Sequence, residues 1–332
     1  MEPIEKEEKK TQREQTATSE SDAWKGEWNE RTEYLIGERG VAALKEACVV
    51  VVGVGGVGAY AAEMVARAGV GALFLVDGDV LTVTNLNRHL LGARADVGTA
   101  KVDLMARRVR AFNPACAVTA RAEFVREDTP RAFFPARVDA LIDACDIASV
   151  KAHLAALCLA HGIPAVVATG AARRLDPTRV RLALLSETEG DPLAALLRRR
   201  VRRLCGDAAL DRLTVVVSDE PPRPVPAACK DGRGRATLPS FCTTPAAAGC
   251  AAAHFAITRI LAAAGVVPDT LPAPKTRSAR AKLEKAKKKR INAHSQQSEG
   301  QKRPRDAPQT SADPAGTTTA TATTEEMTTD EQ

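Results

Sequence analysis

From about residue 30 to residue 266 the chain alternates short apolar runs with segments whose apolar positions recur at helical spacing. Val49–Val52 is an unbroken β-branched run, as expected of a strand buried on both faces. A glycine-rich stretch, Gly53–Gly58, follows it, and Ala59–Ala68 reads as a helix. Leu73–Val76 predicts a second strand. Val102, Met105, Val109 and Phe112 share one face of a helix that Asn113-Pro114 stops. Ala140–Ile142 predicts a strand, Ala148–His161 a helix and Pro164–Ala168 another strand. Leu182–Leu185 and Leu213–Val217 read as strands around a Pro/Gly-rich loop, and 246–264 as a helix that packs back on the sheet. This alternation predicts an α/β fold: a Rossmann-like, doubly wound, mostly parallel sheet with helices on both faces.

The pattern stops at both ends. Residues 1–28 are polar and charged and read as a disordered arm; 29–266 is the folded body; 267–332 reads as a basic, then Ser/Thr-rich, disordered tail. Lys and Arg number 47 against 41 Asp and Glu, a net charge of +6. Residues 275–290 alone hold nine basic side chains and one acid, so the basic balance belongs to the tail and not to the body. Apolar residues make up 45% and aromatics 3%, which leaves a core of Ala, Val and Leu. The eight cysteines form no CxxC pair, which predicts a reducing compartment and no four-cysteine zinc site. The charged N-terminus carries no secretory signal. Ala246–Val267 contains His254 and Arg259 and reads as a buried helix in preference to a membrane span, so no membrane association is evident.

Four groups of residues carry candidate chemistry. Gly53, Gly55, Gly56 and Gly58, between a strand and a helix, can cradle a phosphate against the helix N-terminus. This motif alone does not separate NAD from ATP. Asp77, closing the second strand, can accept both ribose hydroxyls, whereas Asp79 serves a ribose and a solvated turn equally well. Asn85, Arg88 and Lys101 do separate the cofactors. A dinucleotide needs little positive charge here, whereas a triphosphate cleaved between its α and β positions needs cations on the departing pyrophosphate. Asp143 and Asp146, at the end of Ala140–Ile142, suit a Mg²⁺ ion, with Asp146 preferred; a helix N-cap is the alternative for Asp146.

In this order, GVGGVG, the Asp77/Asp79 pair, NLNR, the GTAK lysine and DACD resemble the ThiF/MoeB/HesA, or ubiquitin-activating-type, adenylyltransferases over about residues 31–265. The branch most similar is that of the tRNA threonylcarbamoyladenosine dehydratases, on the run ending in DGDVLTVTNLNRH, DPTRVRLALL and DPLAALLRRRVRR. The resemblance implies that ATP and Mg²⁺ activate the threonyl carboxylate of a modified adenosine beside the tRNA anticodon. An internal nucleophile then displaces AMP and closes an oxazolone ring. It implies catalytic roles for Arg88, Lys101 and Asp146, a homodimer, and no DNA partner. The alternative within the family is an activator of a ubiquitin-like or sulfur-carrier protein. Arg31 is a candidate for an arginine reaching a partner's phosphates, although NERTEYLIG matches the family poorly there. Arg198, Arg199, Arg200, Arg202 and Arg203 form a candidate tRNA-phosphate cluster, with a solvated helix face as the plainer reading. Arg173-Arg174 departs from the family's small residues and adds positive charge that could hold RNA. Cys242 has no neighbouring base and reads as a structural thiol. The expected compartment is cytoplasmic, with mitochondrial association the alternative.

Overall fold

The computed structural model describes residues 28–225 and 238–272. Among these residues seven strands form one sheet: β1 Cys48–Val52, β2 Ala72–Val76, β3 Ala117–Arg121, β4 Ala140–Asp143, β5 Ala165–Ala168, β6 Val180–Leu184 and β7 Thr214–Ser218. Their order is β3-β2-β1-β4-β5-β7-β6, parallel throughout except for the antiparallel β6–β7 pair. Among the described residues six α-helices accompany it: α1 Glu30–Glu46, α2 Gly58–Arg67, α3 Lys101–Phe112, α4 Ala148–His161, α5 Pro192–Cys205 and α6 Thr243–Ala263. The expected α/β class is the one observed.

The β-branched run of β1 forms the centre because successive side chains leave a strand on opposite faces. Val49 and Val51 enter a core with Ala59, Ala62 and Phe255, while Val50 and Val52 enter another with Phe74, Leu141 and Leu154. A third cluster joins Leu197 and Val201 of α5 to Val215 and Val217 of β7. The scarcity of aromatics is matched by close helix approach. A Cβ on Gly249 of α6 would stand 2.4 Å from the Val57 carbonyl oxygen and 2.6 Å from Tyr60 Cβ. Helix α6 is long and apolar enough to cross a membrane, yet Ala252, Phe255 and Ala256 are buried in the core against α2 and the sheet.

Two described elements had no sequence signal. Strand β3 is an edge strand that buries no residue, so it carries no continuous apolar run. Helix α1 is strongly charged and broken at Gly37, whose φ is 70°. Most of the 1–28 arm and the tail beyond 272, with its basic run, lie outside the described residues.

The order of the strands reverses between β1 and β4. The chain leaves β1 for β2 on one side, and β4 pairs with β1 on the other. Ligands of open parallel sheets bind in the crevice outside the carboxyl ends of such a pair. Gly53 and Ala144 stand there.

Candidate active site

A cleft of about 510 Å³ opens at this switch point, lined by Gly53, Gly55, Gly56, Asp77, Asp79, Asn85, Arg88, Lys101 and Asp146 of the residues expected from the sequence, but not by Gly58 or Asp143. Its floor is the glycine-rich loop. Gly53 has φ +84°, and a Cβ there would lie 2.7 Å from the Cys145 backbone nitrogen. Only glycine combines that backbone with so close an approach. A Cβ on Gly58 would stand 1.8 Å from the Gly53 oxygen, so these two residues close the turn. Gly55 meets nothing within 4 Å and faces open space. The turn requires Gly53 and Gly58, while Gly55 leaves the approach to the loop clear.

Two side chains that close on Val54 hold this loop in place. Asp77 Oδ2 accepts from the Val54 N–H (2.7 Å) and Oδ1 from the Asp79 N–H (2.8 Å). Thus Asp77, read from the sequence as a ribose ligand, lines the cleft and also braces its loop. His89, which the sequence did not single out, is the second brace. It is buried, and the Leu91 N–H donates to Nδ1 (3.3 Å), so the proton sits on Nε2 and is donated to the Val54 carbonyl (2.7 Å). Burial pushes its pKa below the ordinary imidazole value.

Arg88 and Lys101 line the same cleft. Arg88 lies with its stem over Gly56, whose Cβ would come 3.3 Å from Arg88 Cγ. Its Nη1 donates to the Thr84 carbonyl (2.8 Å) and to Asn87 Oδ1 (2.9 Å). Burial lowers the pKa of its guanidinium. Asn85 lines the cleft and caps the turn that carries Arg88, accepting from the Thr82 N–H at 3.4 Å. Lys101, at the first turn of α3, is 7% exposed and its Nζ lies 2.8 Å from Asp79 Oδ2. Of the two readings open for Asp79, the geometry supplies a third: it is the counterion that aims Lys101.

Asp143 and Asp146 differ sharply. Asp143 is fully buried, and Oδ1 takes Lys151 Nζ (3.1 Å) and the Cys145 N–H (3.1 Å). Its Oδ2 is buried without a partner. Burial alone would push the Lys151 ammonium down; the Asp143 carboxylate outweighs it and holds the pKa above the usual value. Asp146 is exposed and lines the cleft. The Ile147 backbone, not an Asp146 side chain, occupies the N-cap of α4. No group of three or more metal-ligating side chains occurs among the described residues. Cys145 also lines the cleft, but burial, followed by the Asp143 charge, pushes its thiol far up, so it is a poor nucleophile.

The basic residues divide. Arg174, read as added charge for RNA, is 2% exposed and paired with Asp191 Oδ2 at 3.0 Å. Asp191 also accepts from the Ala194 N–H (2.8 Å) and the Gly170 N–H (3.1 Å), so it caps α5 and ties it to the cleft wall. This contact corrects the RNA-holding expectation for Arg174. Along α5, Arg198 donates to Thr188 and Arg202 pairs with Asp207, while Arg199 and Arg203 are exposed and Arg200 is half-buried. Arg199, Arg200 and Arg203 line a separate, smaller depression, and none of the five lines the main cleft. Arg31 is exposed on α1. Cys242, half-buried, precedes α6. Phe124 had no sequence signal: 60% exposed, it lines the cleft with its ring against Gly78, whose Cβ would come 2.5 Å from it.

The model of the ThiF family matches residues 30–303. The chain belongs to the ThiF family. Among curated relatives, the tRNA threonylcarbamoyladenosine dehydratase of Bacillus subtilis is 43% identical over 192 residues, 58% of this chain and 74% of the relative. The molybdopterin-synthase adenylyltransferase of Escherichia coli is 34% identical over 171 residues, 52% of this chain and 65% of that protein. The solved structure of E. coli tRNA N6-threonylcarbamoyladenosine dehydratase, TcdA, in complex with ATP, has a TM-score of 0.65 and 35% identity over 72% of this chain and 96% of the other. A ThiF-family chain thus presents, at its switch point, a cleft lined by a glycine loop and by Arg88 and Lys101.

Proposed function

We propose that this chain uses ATP to activate the carboxylate of a threonylcarbamoyl group on a tRNA adenosine, and that the activated group then cyclises with loss of AMP. The observation that carries the reading is the convergence of Gly55, Arg88, Lys101 and Asp146 on one cleft. Cations on the phosphate side of a glycine loop suit a triphosphate that loses pyrophosphate; a dinucleotide does not need them. The likeness to the B. subtilis dehydratase and to the ATP-bound E. coli structure supports the same choice.

The residues divide the work as follows. The loop N–H groups around Gly55 and the start of α2 receive phosphate oxygens. Arg88 and Lys101 stabilise the charge that develops as a carboxylate oxygen bonds to the α-phosphorus and the bond to pyrophosphate breaks. Asp79 keeps Lys101 extended toward the cleft. Asp77 is placed for a ribose while bracing Val54. In the second step a nucleophile within the threonylcarbamoyl group attacks the acyl carbon and AMP departs with the carboxylate oxygen. Together the two steps remove one water from the substrate and convert ATP to AMP and pyrophosphate.

A Mg²⁺ ion fits the donors present: exposed Asp146 and the unpartnered Oδ2 of Asp143 are hard oxygen ligands, and such an ion draws its remaining ligands from phosphates and water. When bound, it would neutralise triphosphate charge. We propose further that the chain acts as a homodimer, that Arg199 and Arg203 contribute to tRNA contact, and that it works in the cytosol; free thiols at every described cysteine support a reducing compartment.

The test is to incubate the full chain with Mg-ATP and an anticodon stem-loop carrying threonylcarbamoyladenosine, then digest and weigh the nucleosides. The reading expects a nucleoside lighter by one water and stoichiometric AMP. An unchanged nucleoside, with ATP–pyrophosphate exchange that depends on a small carrier protein, would replace it with the carrier-activating alternative.

A further inference from the structure

Among the described residues, four basic side chains line the cleft, Arg88, Lys101, Arg173 and Arg174, and one of them has neither a role in the mechanism nor a local partner. Arg88 is hydrogen-bonded to Thr84 and Asn87, Lys101 is paired with Asp79, and Arg174 with Asp191. Arg173 forms no ion pair or side-chain hydrogen bond with any described residue.

Its backbone is equally distinctive. At φ 63°, Arg173 is the one non-glycine residue in the left-handed region among the described residues. A branched or long L side chain adopts that region only when its surroundings fix the chain. Here they do: the Arg173 N–H donates to the Pro239 carbonyl (2.8 Å), and its own carbonyl accepts from the Arg223 N–H (2.9 Å). Two neighbouring segments thus clamp one residue in a conformation that glycine would occupy without strain. The next residue, Arg174, is locked by its buried pair with Asp191, which fixes the loop from the other side. The clamp keeps a guanidinium with no partner among the described residues at the cleft, in the segment between β5 and α5.

We propose that Arg173 binds an anionic group of the RNA-borne acyl substrate. The inference rests on the carboxylate-activating reading above and adds the residue that takes the substrate side of the cleft. A guanidinium pairs bidentately with a carboxylate or a phosphodiester. Such a substrate carries both: the threonyl carboxylate and the phosphates flanking the modified adenosine. The nucleotide's own phosphates are served by Arg88 and Lys101, so Arg173 acts on KM for RNA and not on KM for ATP.

The test compares the full chain with Arg173→Gly and Arg173→Lys. Glycine suits the observed φ, so Arg173→Gly folds, and its melting temperature should equal or exceed that of the wild type. With the threonylcarbamoyl stem-loop, Arg173→Gly should raise KM for RNA about tenfold or more, leave KM for ATP within about twofold, and Arg173→Lys should fall between. Binding to stem-loops with and without the threonylcarbamoyl group identifies the anion. Equal weakening of both, with a shallower salt dependence, assigns a phosphodiester; weakening of the modified RNA alone assigns the carboxylate. A working wild type matched by Arg173→Gly on RNA overturns the proposal, as does a loss confined to ATP. A wild type that neither binds nor dehydrates the RNA overturns instead the reading on which it rests.

Discussion

Gly53 and Gly55 are two residues apart, and replacing each with alanine should have opposite consequences. A Cβ on Gly53 would meet the Cys145 nitrogen at 2.7 Å and the Ala144 carbonyl carbon and oxygen at 2.8 Å, all of them backbone atoms, at a φ of +84°. The left-handed conformation costs an L residue about 1–2 kcal/mol, and forcing a methyl group into packed backbone about 1–3 kcal/mol more. Gly53→Ala should therefore lose about 2–5 kcal/mol of a stability on the order of 5–15 kcal/mol. Gly55 has no atom within 4 Å of its Cβ and no left-handed φ. Alanine there should leave stability unchanged or raise it by about 0.4–1 kcal/mol. It would nonetheless put a methyl group where the phosphates approach. If that costs the about 1–3 kcal/mol of an overpacked contact, ATP affinity falls roughly fivefold to a hundredfold or more. Urea denaturation gives the stabilities and calorimetric titration with ATP gives the affinities. A folded Gly55→Ala chain that binds ATP like the wild type would refute the placement of the phosphates; a Gly53→Ala chain of wild-type stability would refute the closure of the loop.

Three further outcomes are expected. Lys101→Ala should lower turnover by about tenfold or more, because no other cation among the described residues is paired to Asp79; it should be read from AMP release at saturating ATP. Lys151→Met leaves the fully buried Asp143 without its counterion and should destabilise the chain by about 3–5 kcal/mol in urea denaturation; wild-type stability would mean the pair is not formed. His89 is held neutral, with a pKa below the ordinary 6.5. As pH falls below that value the unfolded chain takes up a proton that the folded chain refuses, so stability is lost with acidification. His89→Gln should flatten this limb of a stability–pH curve, and a curve unchanged by the substitution would remove His89 as a brace of Val54.

What the sequence disclosed here was whatever the backbone imposes on residue type. Gly53 and Gly58 are glycines because any Cβ would collide, and Val49–Val52 is continuous because each of its faces meets a separate core. Partnerships across the chain were not legible. Asp79 aims a lysine 22 residues on, and Asp143 pairs with a buried one 8 residues on, and neither pairing showed in the sequence. Arg174 looked like surface charge and is buried because Asp191, 17 residues away, receives it. The arginines of α5 looked equivalent, but Arg198 and Arg202 have local acceptors and differ from Arg199 and Arg203. Strand β3 was missed because an edge strand of alternating half-exposed residues needs no apolar run.

The central claim is that a carboxylate oxygen of the substrate bonds to the α-phosphorus of ATP within reach of Arg88 and Lys101. The direct measurement uses a stem-loop whose threonyl carboxylate is enriched in ¹⁸O, followed by mass analysis of the nucleotide released by the full chain. The account predicts ¹⁸O in the phosphate of AMP. Label absent from AMP while the RNA still loses water, or release of ADP in its place, would contradict it.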